Sequence, residues 1–572
     1  MILPPQGVEL PSRSESNYEE VKDQLVDFCK KIAGSRQITA LCIVGDCTVG
    51  YTEANEVMET LIVIRDFQPR LTTRIKPLGD KNIIILCVDK WIFERDVDKA
   101  FLGEAIVERI IFPYIPLVNK DYLYLHEVRL KKRLILELLE NLVWDFPELS
   151  YSFRIKPEYF MYETMMSRAR LFPPMVYSVS NFLKEDLRNR NVDITMHGYN
   201  EALRELEEEN TIVFLNGYVK ISKEFMDKVL TKRIRFVNLF KTAQKALFAS
   251  FLGVFSKTVS FLSQNRERTI EFLRLDAENS EFLHQLEDPQ KYLYIPTAHG
   301  LVSLSNKMNI EGFARKVLSR GKRAEIDIEK IGGALNDVYL VKASTNKEKE
   351  KIVVKRFKDW SSFKWFPLNL WTLGTKTFAV LGRSRLEKEC AINQLLHSNG
   401  FGVPKILHVS HAERLVFKEY IEGEKLSKII RDTLRSEDDD CLEAISKVGK
   451  IFAKVHALDI ALGDTKPENI MIRQETAEVY LLDLEQASRK GDKVWDIAEF
   501  LYYSGHYCSP ISSTNAARIM AINFLKGYLE VGGKKKVVKK AGSAKYTKVF
   551  SVFTSPHVLF TISSICQKMG KE

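Results

Sequence analysis

The chain has 572 residues, which is too long for one hydrophobic core and predicts several domains. Its 45% apolar and 28% charged residues are typical of a soluble globular protein. The eight cysteines form neither a CxxC pair nor a metal-ligand spacing, and the first twenty residues show no signal-peptide pattern. We therefore expect a protein of the reducing cytoplasm, without a cysteine-bound metal.

The net charge of +10 is unevenly distributed along the chain. Lysine and arginine crowd three segments, residues 231–241, 315–323 and 532–548. Such basic clusters attract RNA or an anionic membrane surface, and they also occur as solvated faces or flexible tails. The sequence leaves these alternatives open.

The first segment, residues 1–125, alternates short β-rich runs with helical runs and predicts an α/β domain. Its start resembles the nucleotidyltransferase fold, in which a Gly-Ser turn precedes a strand with two metal-binding acids, one residue apart. Here Asp46 stands at the place of the serine, and an alignment that uses Glu59 as one acid places Val57 at the other. Because a two-metal mechanism needs both carboxylates, we predict a degenerate, non-catalytic domain.

Residues 126–232 predict a helical domain that ends like a winged helix. A strong helix pattern is followed by two β-runs joined by Asn216-Gly217, the strongest short-range signal for a hairpin. In a winged helix, residues 199–209 would enter the DNA groove, and they carry five glutamates against one arginine. DNA phosphates would repel that face, so we expect no binding of duplex DNA and predict a protein partner at this domain.

Residues 233–300 predict an amphipathic helical connector. Apolar residues recur at helical spacing in its first part, and the longest uncharged run has eleven residues. Such a run is too short to cross a bilayer. The connector would lie on a membrane surface or pack within an interdomain bundle.

Residues 301–572 predict a domain that contains the parts of a phosphoryl-transfer site in order. The first part is a glycine turn between two predicted strands. Little side chain surrounds the backbone amides of Gly332, Gly333 and Ala334, so ATP phosphates could approach them. A plain hairpin turn would have the same pattern.

A lysine and a glutamate follow this turn. Lys355 lies inside a β-run of isoleucine and valine, where a lysine is costly unless it is paired. The next predicted helix offers Glu389 as its partner, with Glu387 as the second choice. A later apolar strand ends at Glu419, and the backbone from there to Ile421 is the predicted hinge that binds adenine.

Asp464, Lys466 and Asn469 lie together in the stretch LGDTKPENIMI. Turn-forming residues dominate it, so a solvated turn is one alternative. The other is a phosphoryl-transfer loop, in which aspartate accepts a hydroxyl proton, lysine holds the moving phosphoryl group and asparagine binds magnesium. Asp483 ends an apolar strand fourteen residues after Asn469, a distance that suits a hairpin. Asp496 begins a helix, where it either ties down the loop or complements the helix dipole.

With these parts in order, residues 325–510 resemble the catalytic domain of the atypical protein-kinase superfamily. The most similar branches are the RIO-type kinases and the kinase of the KEOPS tRNA-modification complex, in its archaeal form. The resemblance implies a bilobal protein-kinase-like fold that uses ATP and Mg²⁺. The implied roles are Asp464 as catalytic base, Lys466 as phosphoryl stabiliser, Asn469 and Asp483 as metal ligands, and Lys355 with Glu389 as the phosphate-orienting pair.

The sequence also departs from the common kinase pattern. Gly463 replaces the arginine that grips a phosphorylated activation loop, and Glu485 replaces the glycine of Asp-Phe-Gly. Only twelve residues separate Asp483 from Asp496, which leaves no room for a normal peptide-docking platform. Substrate docking would then depend on other domains.

Together these patterns predict an α+β multidomain protein whose last domain is an ATP- and Mg²⁺-dependent Ser/Thr protein kinase. The lysine at position 466 favours a protein substrate over a small molecule, although a small-molecule kinase stays possible. A different class is an ATP-binding scaffold or slow ATPase that switches an RNA-processing or ribosome-associated assembly. The degenerate first domain and Glu485 would suit that alternative.

Overall fold

The structure is a computed structural model that describes residues 15–50, 58–78, 81–171, 175–231, 287–318, 324–332, 336–344, 349–359, 379, 381–436, 439–473, 475–507, 514–551 and 554–571. The chain forms two compact units. The first lies within residues 1–145 and 155–293, and the second within residues 146–154 and 294–572. Of the predicted connector, residues 233–300, only residues 287–300 are among the described residues. The predicted boundaries at residues 125, 232 and 300 stay predictions.

The described strands and helices of the first unit are numbered in chain order. They are α1 (Glu15–Ala33), β1 (Ile38–Val44), β2 (Met58–Ile64), β3 (Leu71–Leu78), β4 (Lys81–Asp89), α2 (Lys90–Lys99), β5 (Ile115–Val118), α3 (Lys120–Asp145), β6 (Arg154–Ile155), α4 (Glu158–Leu171), α5 (Met175–Phe182), α6 (Glu185–Glu208), β7 (Ile212–Leu215), β8 (Tyr218–Ile221) and α7 (Lys223–Thr231).

A five-stranded sheet with the order β3-β4-β2-β1-β5 forms the first part of this unit. Its inner strands read as continuous apolar runs because both faces of the sheet are covered. Leu41 and Ile43 of β1 pack with Leu25 of α1, whereas Cys42 and Val44 pack on the other face with residues of α2 and α3. Strands buried on both faces need no polar alternation. The three β-runs predicted here are confirmed as β1, β2 and β4.

The predicted helix and hairpin of the winged-helix pattern are confirmed as α6, β7 and β8. Two of the five glutamates bind Lys132 of α3, with Lys132 Nζ 2.7 Å from Glu205 and 2.8 Å from Glu209. Glu207 accepts a hydrogen bond from the amide of Phe214 on β7, at 3.0 Å. Part of the acidic face therefore serves contacts within this unit. A protein partner at the rest of it stays a prediction.

The second unit contains the following described elements, again in chain order. They are β9 (Leu293–Thr297), β10 (Gly300–Ser303), α8 (Ile310–Phe313), β11 (Glu325–Gly332), β12 (Asp337–Ser344), β13 (Lys349–Arg356), α9 (Gly382–Ser398), β14 (Ile406–Ser410), β15 (Leu415–Glu419), β16 (Gly423–Lys425), α10 (Leu426–Ser436), α11 (Asp439–Ala457), β17 (Ile460–Ala461), β18 (Ile470–Arg473), β19 (Val479–Leu481), β20 (Ser488–Arg489), α12 (Lys493–Gly505), α13 (Thr514–Glu530), α14 (Lys535–Ala541), α15 (Ala544–Phe550) and α16 (Pro556–Met569).

Two layers make up this unit. The first is an antiparallel sheet of order β11-β12-β13-β15-β14 with α9 in contact with β14 and β15. The second is mainly helical, and each of its helices from α10 to α16 contributes buried residues to one continuous core. A small sheet has the order β16-β18-β19. Its first strand comes directly after β15 in the chain, where the first layer ends. The two layers suit the bilobal fold that the sequence predicts for this unit, which stays a prediction.

Close packing of α11 against α13 positions the residues that precede the predicted catalytic loop. An ideal Cβ at Gly449 would lie 2.1 Å from the carbonyl oxygen of Phe524, and one at Gly527 would lie 2.1 Å from that of Ser446. Only glycine permits such an approach of two helix backbones. His456, near the end of α11, then contacts Tyr528 of α13 through Nδ1 at 2.9 Å.

A short segment, between the two stretches of the chain that form the first unit, belongs to this second unit. Within Phe146–Arg154, the ring of Phe146 lies 4.6 Å from the guanidinium carbon of Arg383 at the start of α9. Glu148 lies 3.3 Å from Arg489 of β20, whose guanidinium also stacks 4.1 Å from the ring of Tyr151. The segment thus contacts both α9, which carries Glu389, and β20, which follows Asp483.

A buried histidine gives this unit a pH-dependent stability. Burial, and to a smaller extent His299, lowers the pKa of His408 from 6.5 to about 4. An unfolded chain binds this proton between those values and the native chain does not, so the stabilisation present above pH 6.5 is lost as the pH falls towards 4. We expect the loss to reach about 3 kcal/mol in urea unfolding. His408→Gln should reduce this pH dependence, whereas His397→Gln, at an exposed position of α9, should retain it.

Candidate active site

Asp496 supports the backbone of the loop between β17 and β18. The Asp496 carboxylate accepts hydrogen bonds from the amides of Leu462, at 2.6 Å, and Gly463, at 2.8 Å. It also contacts His456 Nε2 at 3.0 Å. Gly463 has a φ of +80°, which favours glycine at this turn. The predicted tie between Asp496 and the catalytic loop is therefore confirmed.

A second carboxylate completes the support of this loop. Glu499, one turn after Asp496 on α12, accepts hydrogen bonds from the amide of Thr465, at 2.7 Å, and from Trp495 Nε1, at 3.1 Å. The Thr465 hydroxyl donates to the Asp496 carbonyl at 2.9 Å. Sequence reasoning did not identify Thr465 or Glu499. The i, i+3 spacing of two acids on one apolar helix was the available signal.

We expect Asp496→Ala to lower the free energy of unfolding by about 3 kcal/mol, because two buried amides would lose a charged acceptor. Urea unfolding of the full chain measures this. Asp492→Ala removes the N-cap of the same helix, whose carboxylate accepts from Val494 and Trp495. It should cost about 1 kcal/mol. Equal costs for the two variants would contradict a special role of Asp496.

The structure brings Asp464, Asn469 and Asp483 to the lining of one small cavity. The β18–β19 hairpin, with Ile470 opposite Leu481, carries the latter two residues back to the same place, as their spacing predicts. Asn469 Nδ2 donates to the carbonyl of Asp464 at 3.3 Å. Lys466 Nζ lies 3.1 Å from Asp464 Oδ1. The four residues of the predicted loop and strand end are thus adjacent.

Lys355 lies against three carboxylates. Its Nζ is 2.8 Å from Asp483 Oδ2, 2.8 Å from Glu485 Oε2 and 3.7 Å from Glu389 Oε2. Burial lowers the pKa of Lys355, but the three carboxylates more than offset this and raise it above its usual range. Burial alone would raise the pKa of Asp483, but the positive charges of Lys355 and Lys418 outweigh burial and lower this pKa to about 2. Both groups are charged at neutral pH.

The predicted partner of Lys355, Glu389, is fully buried and has closer contacts elsewhere. Lys418 Nζ, on β15, donates to Glu389 Oε1 at 2.7 Å and to the carbonyl of Leu482 at 2.8 Å. Glu389 Oε2 accepts from the amide of Leu484 at 2.9 Å. The second choice, Glu387, instead binds Arg383 at 3.1 Å. Sequence reasoning missed Lys418, although a lysine in an apolar strand was a visible signal.

The remaining predicted nucleotide contacts are only partly described. Gly332 ends β11 opposite Val338, whereas Gly333 and Ala334 lie outside the described residues. Glu419 ends β15, and its amide donates to the carbonyl of Lys405 at 2.9 Å. Ile421 is buried just beyond. The adenine hinge at these two residues stays a prediction.

The donor set near Asp483 suits a magnesium ion. Mg²⁺ prefers oxygen ligands and is usually held by one or two carboxylates together with substrate phosphates. Asp483 supplies a carboxylate, and Asn469 supplies an amide oxygen because its nitrogen is already used. Within the described part of the chain, no group of three His, Cys, Asp or Glu residues could hold a metal without such help. Magnesium would therefore bind here together with ATP.

In the first unit, the predicted remnant of a metal site is only partly described. Glu59 is the second residue of β2, and its Oε2 lies 3.6 Å from Nε of the buried Arg109 guanidinium. Val57 and the side chain of Asp46 lie outside the described residues. A degenerate nucleotidyltransferase-like domain stays a prediction.

The kinase class follows from comparison with known proteins. Residues 341–502 match the family model described as "Lipopolysaccharide kinase (Kdo/WaaP) family". This segment includes Lys355, the loop at Asp464 and Asp483. The second unit therefore carries a kinase-family phosphotransferase domain. Membership of a kinase family implies that this domain uses ATP.

Three curated proteins are similar to parts of this chain. A "Probable bifunctional tRNA threonylcarbamoyladenosine biosynthesis protein" of Methanobrevibacter smithii is 29% identical over 154 residues, which are 27% of this chain and 26% of that protein. The KEOPS complex subunit Bud32 of Pyrococcus abyssi is 26% identical over 159 residues, 27% of this chain and 68% of Bud32. The 3-deoxy-D-manno-octulosonic acid kinase of Mannheimia succiniciproducens is 28% identical over 125 residues, 21% of this chain and 51% of that kinase.

These matches confirm the resemblance to the KEOPS kinase at a distance, whereas the RIO-type resemblance stays a prediction. The chain spans about a quarter of the first relative's length. Among the helices within the described residues, none combines the length and the apolar composition that a bilayer crossing requires.

Proposed function

We propose that the second unit transfers the γ-phosphoryl group of ATP, with Mg²⁺, to a serine or threonine hydroxyl of a protein. The observation that carries the proposal is the cavity that Asp464, Asn469 and Asp483 line together. Lys355 lies beside Asp483, and Lys466 lies beside Asp464. A base, two metal ligands and two phosphate-binding cations are the set that phosphoryl transfer requires.

In this proposal each group has one task. Asp464 accepts the proton of the incoming hydroxyl, and Lys466 stabilises the charge that develops on the transferred phosphoryl oxygens. Burial lowers the pKa of Lys466, but Asp464 and Glu499 raise it by more, so its ammonium keeps the charge this task needs. Asn469 and Asp483 would hold Mg²⁺, which neutralises phosphate charge when it is bound. Lys355 would orient the α- and β-phosphates.

A sugar hydroxyl is a second candidate for the acceptor. The family model and the kinase of Mannheimia succiniciproducens favour it, because both are described by a sugar acid or a lipopolysaccharide. The short stretch between Asp483 and Asp496 holds β20 and the start of α12 and offers little surface for a peptide. A compact acceptor would need less docking surface.

Phosphoryl transfer from radiolabelled ATP distinguishes these acceptors. The full chain is incubated with Mg²⁺ and, in separate reactions, a dephosphorylated protein extract, a 3-deoxy-D-manno-octulosonic acid acceptor, or buffer alone. We expect label on serine or threonine of protein that is lost with Asp464→Asn. Label on the sugar acid alone would favour the second candidate. Phosphate release in buffer alone, at the same rate as with every acceptor, would indicate an ATPase and contradict the kinase proposal.

The weak similarity to KEOPS subunits favours a protein assembly as the setting of this activity. We propose that the first unit supplies the docking surface that the short segment after Asp483 lacks. Glutamates in the last two turns of α6, among them the half-buried Glu201 and the exposed Glu208, would suit a basic partner. Co-purification of a basic protein that is lost on reversal of these charges to lysine tests this proposal.

A further inference from the structure

The carboxylate closest to Lys355, apart from the predicted metal ligand, is Glu485. Lys355 Nζ lies 2.8 Å from Glu485 Oε2 and 3.7 Å from Glu389 Oε2. An ion pair weakens with distance, and the shorter contact also lies within hydrogen-bond range. Glu485 is the residue that replaces the glycine of the common Asp-Phe-Gly pattern.

Glu389 has a different role in this site. Both of its oxygens are used at short range, by Lys418 at 2.7 Å and by the amide of Leu484 at 2.9 Å. Lys418 also donates to the carbonyl of Leu482. Glu389 and Lys418 therefore fasten α9 and β15 to the turn that contains Asp483.

Glu485 is itself held on two sides. Arg385 donates to Glu485 Oε1 at 3.1 Å and to Asn336 Oδ1 at 2.7 Å. Asn336 donates to Glu485 Oε2 at 2.6 Å. Arg385 is fully buried, and Glu485 and Asn336 are 5% and 8% exposed. A carboxylate with these three partners has little freedom to leave Lys355.

We propose that Glu485, and not Glu389, is the carboxylate that orients Lys355 towards the phosphates of ATP, with Arg385 and Asn336 holding Glu485 in place. This inference rests on the proposed function of the site. Glu485 acts through Lys355 and is a positioning residue, not a catalytic one. Asn336 precedes β12, so the same contact also fixes the strand that follows the glycine turn.

The balance of buried charge explains why a glutamate replaces glycine here. Three cations, Lys355, Arg385 and Lys418, meet three carboxylates, Glu389, Asp483 and Glu485. With glycine at position 485, the three cations would face two carboxylates, one of which is assigned to the metal. An unpaired buried charge is strongly unfavourable. Glu485 therefore supplies the third acid that balances these three cations, in direct contact with Lys355 and Arg385.

Calorimetric binding of Mg²⁺ with a non-hydrolysable ATP analogue to the full chain tests the assignment. Glu485→Gln should raise Kd about tenfold or more, a change of about 1.4 kcal/mol, and by more than Glu389→Gln does. Glu387→Gln is the matched control, since Glu387 lies on α9, is 4% exposed and binds Arg383. It should leave Kd unchanged. Wild-type Kd in a folded Glu485→Gln variant would overturn the inference.

A double variant separates orientation of Lys355 from a merely structural role. Glu485→Gln leaves Arg385 without its carboxylate and lowers stability, whereas Glu485→Gln with Arg385→Gln removes both charges of that pair. Urea unfolding should show recovered stability in the double variant, while its Kd for the analogue stays raised. Recovery of Kd together with stability would overturn the inference. If the wild-type chain binds no analogue, the proposed function fails first, and this outcome is distinct from equal binding by all variants.

Discussion

Asp483→Asn is expected to reduce Mg²⁺-dependent phosphoryl transfer by two orders of magnitude or more, about 2.7 kcal/mol of barrier. The neutral amide cannot replace an anionic metal ligand, and it also removes the 2.8 Å ion pair with Lys355. Initial rates at saturating ATP and varied Mg²⁺ measure the effect. The lost rate should not return at high Mg²⁺, because the amide gives the ion no charge to bind.

A matched control lies on the same hairpin. Glu478→Gln changes an exposed carboxylate five residues before Asp483, near the start of β19, and should leave the rate unchanged. Circular dichroism and urea unfolding show whether each variant is folded. A folded Asp483→Asn variant with wild-type turnover would remove Asp483 from the site and, with it, the proposed metal position.

Asp464→Asn is expected to lower phosphoryl transfer by a factor of about 10² to 10⁴, the usual contribution of a general base. Binding of the ATP analogue should change little, because the substitution keeps the backbone carbonyl that Asn469 contacts and leaves Lys355 and Asp483 in place. The informative result is thus the difference between an unchanged Kd and a much reduced turnover. Asp483→Asn should impair both.

The control for this variant is Asp459→Asn, five residues earlier, where an exposed carboxylate pairs with Lys493. It should retain both binding and turnover. If Asp464→Asn retained full transfer to an acceptor, Asp464 would not be the base, and the hydroxyl would have to lose its proton to another group or to water.

The sequence predicted most of the kinase-like unit because its signals are local. Apolar runs marked β18 and β19, and the fourteen-residue spacing placed Asn469 and Asp483 at the two ends of one hairpin. Asp496 in the first turn of a helix was likewise visible, and its bonds to Leu462 and Gly463 confirm the tie. Spacing along the chain was sufficient for the hairpin because its two strands are consecutive, whereas the tie of Asp496, 34 residues from Leu462, was one of two alternatives.

The ion pairs of Lys355 could not be predicted in the same way. Glu389 is on α9, Lys418 on β15 and Glu485 after β19, and the sequence gives no distance between three such elements. The family pattern supplied Glu389 as the partner, but Glu389 Oε1 binds Lys418 at 2.7 Å, and Glu389 Oε2 is 3.7 Å from Lys355. Glu389 and Glu485, on separate elements, differ by less than 1 Å in their distance from Lys355 Nζ. Only the assembled sheet shows which pair is shorter.

The segment Phe146–Arg154 makes the kinase-like unit discontinuous along the chain. A truncated protein that starts near residue 294 would lack Phe146 beside Arg383 and both Glu148 and Tyr151 beside Arg489. Arg383 of α9 and Arg489 of β20 would then lose these contacts. A fragment chosen by linear boundaries thus lacks part of the second unit. Supplying residues 146–154 as a separate peptide, or by a fusion, is the natural way to restore it.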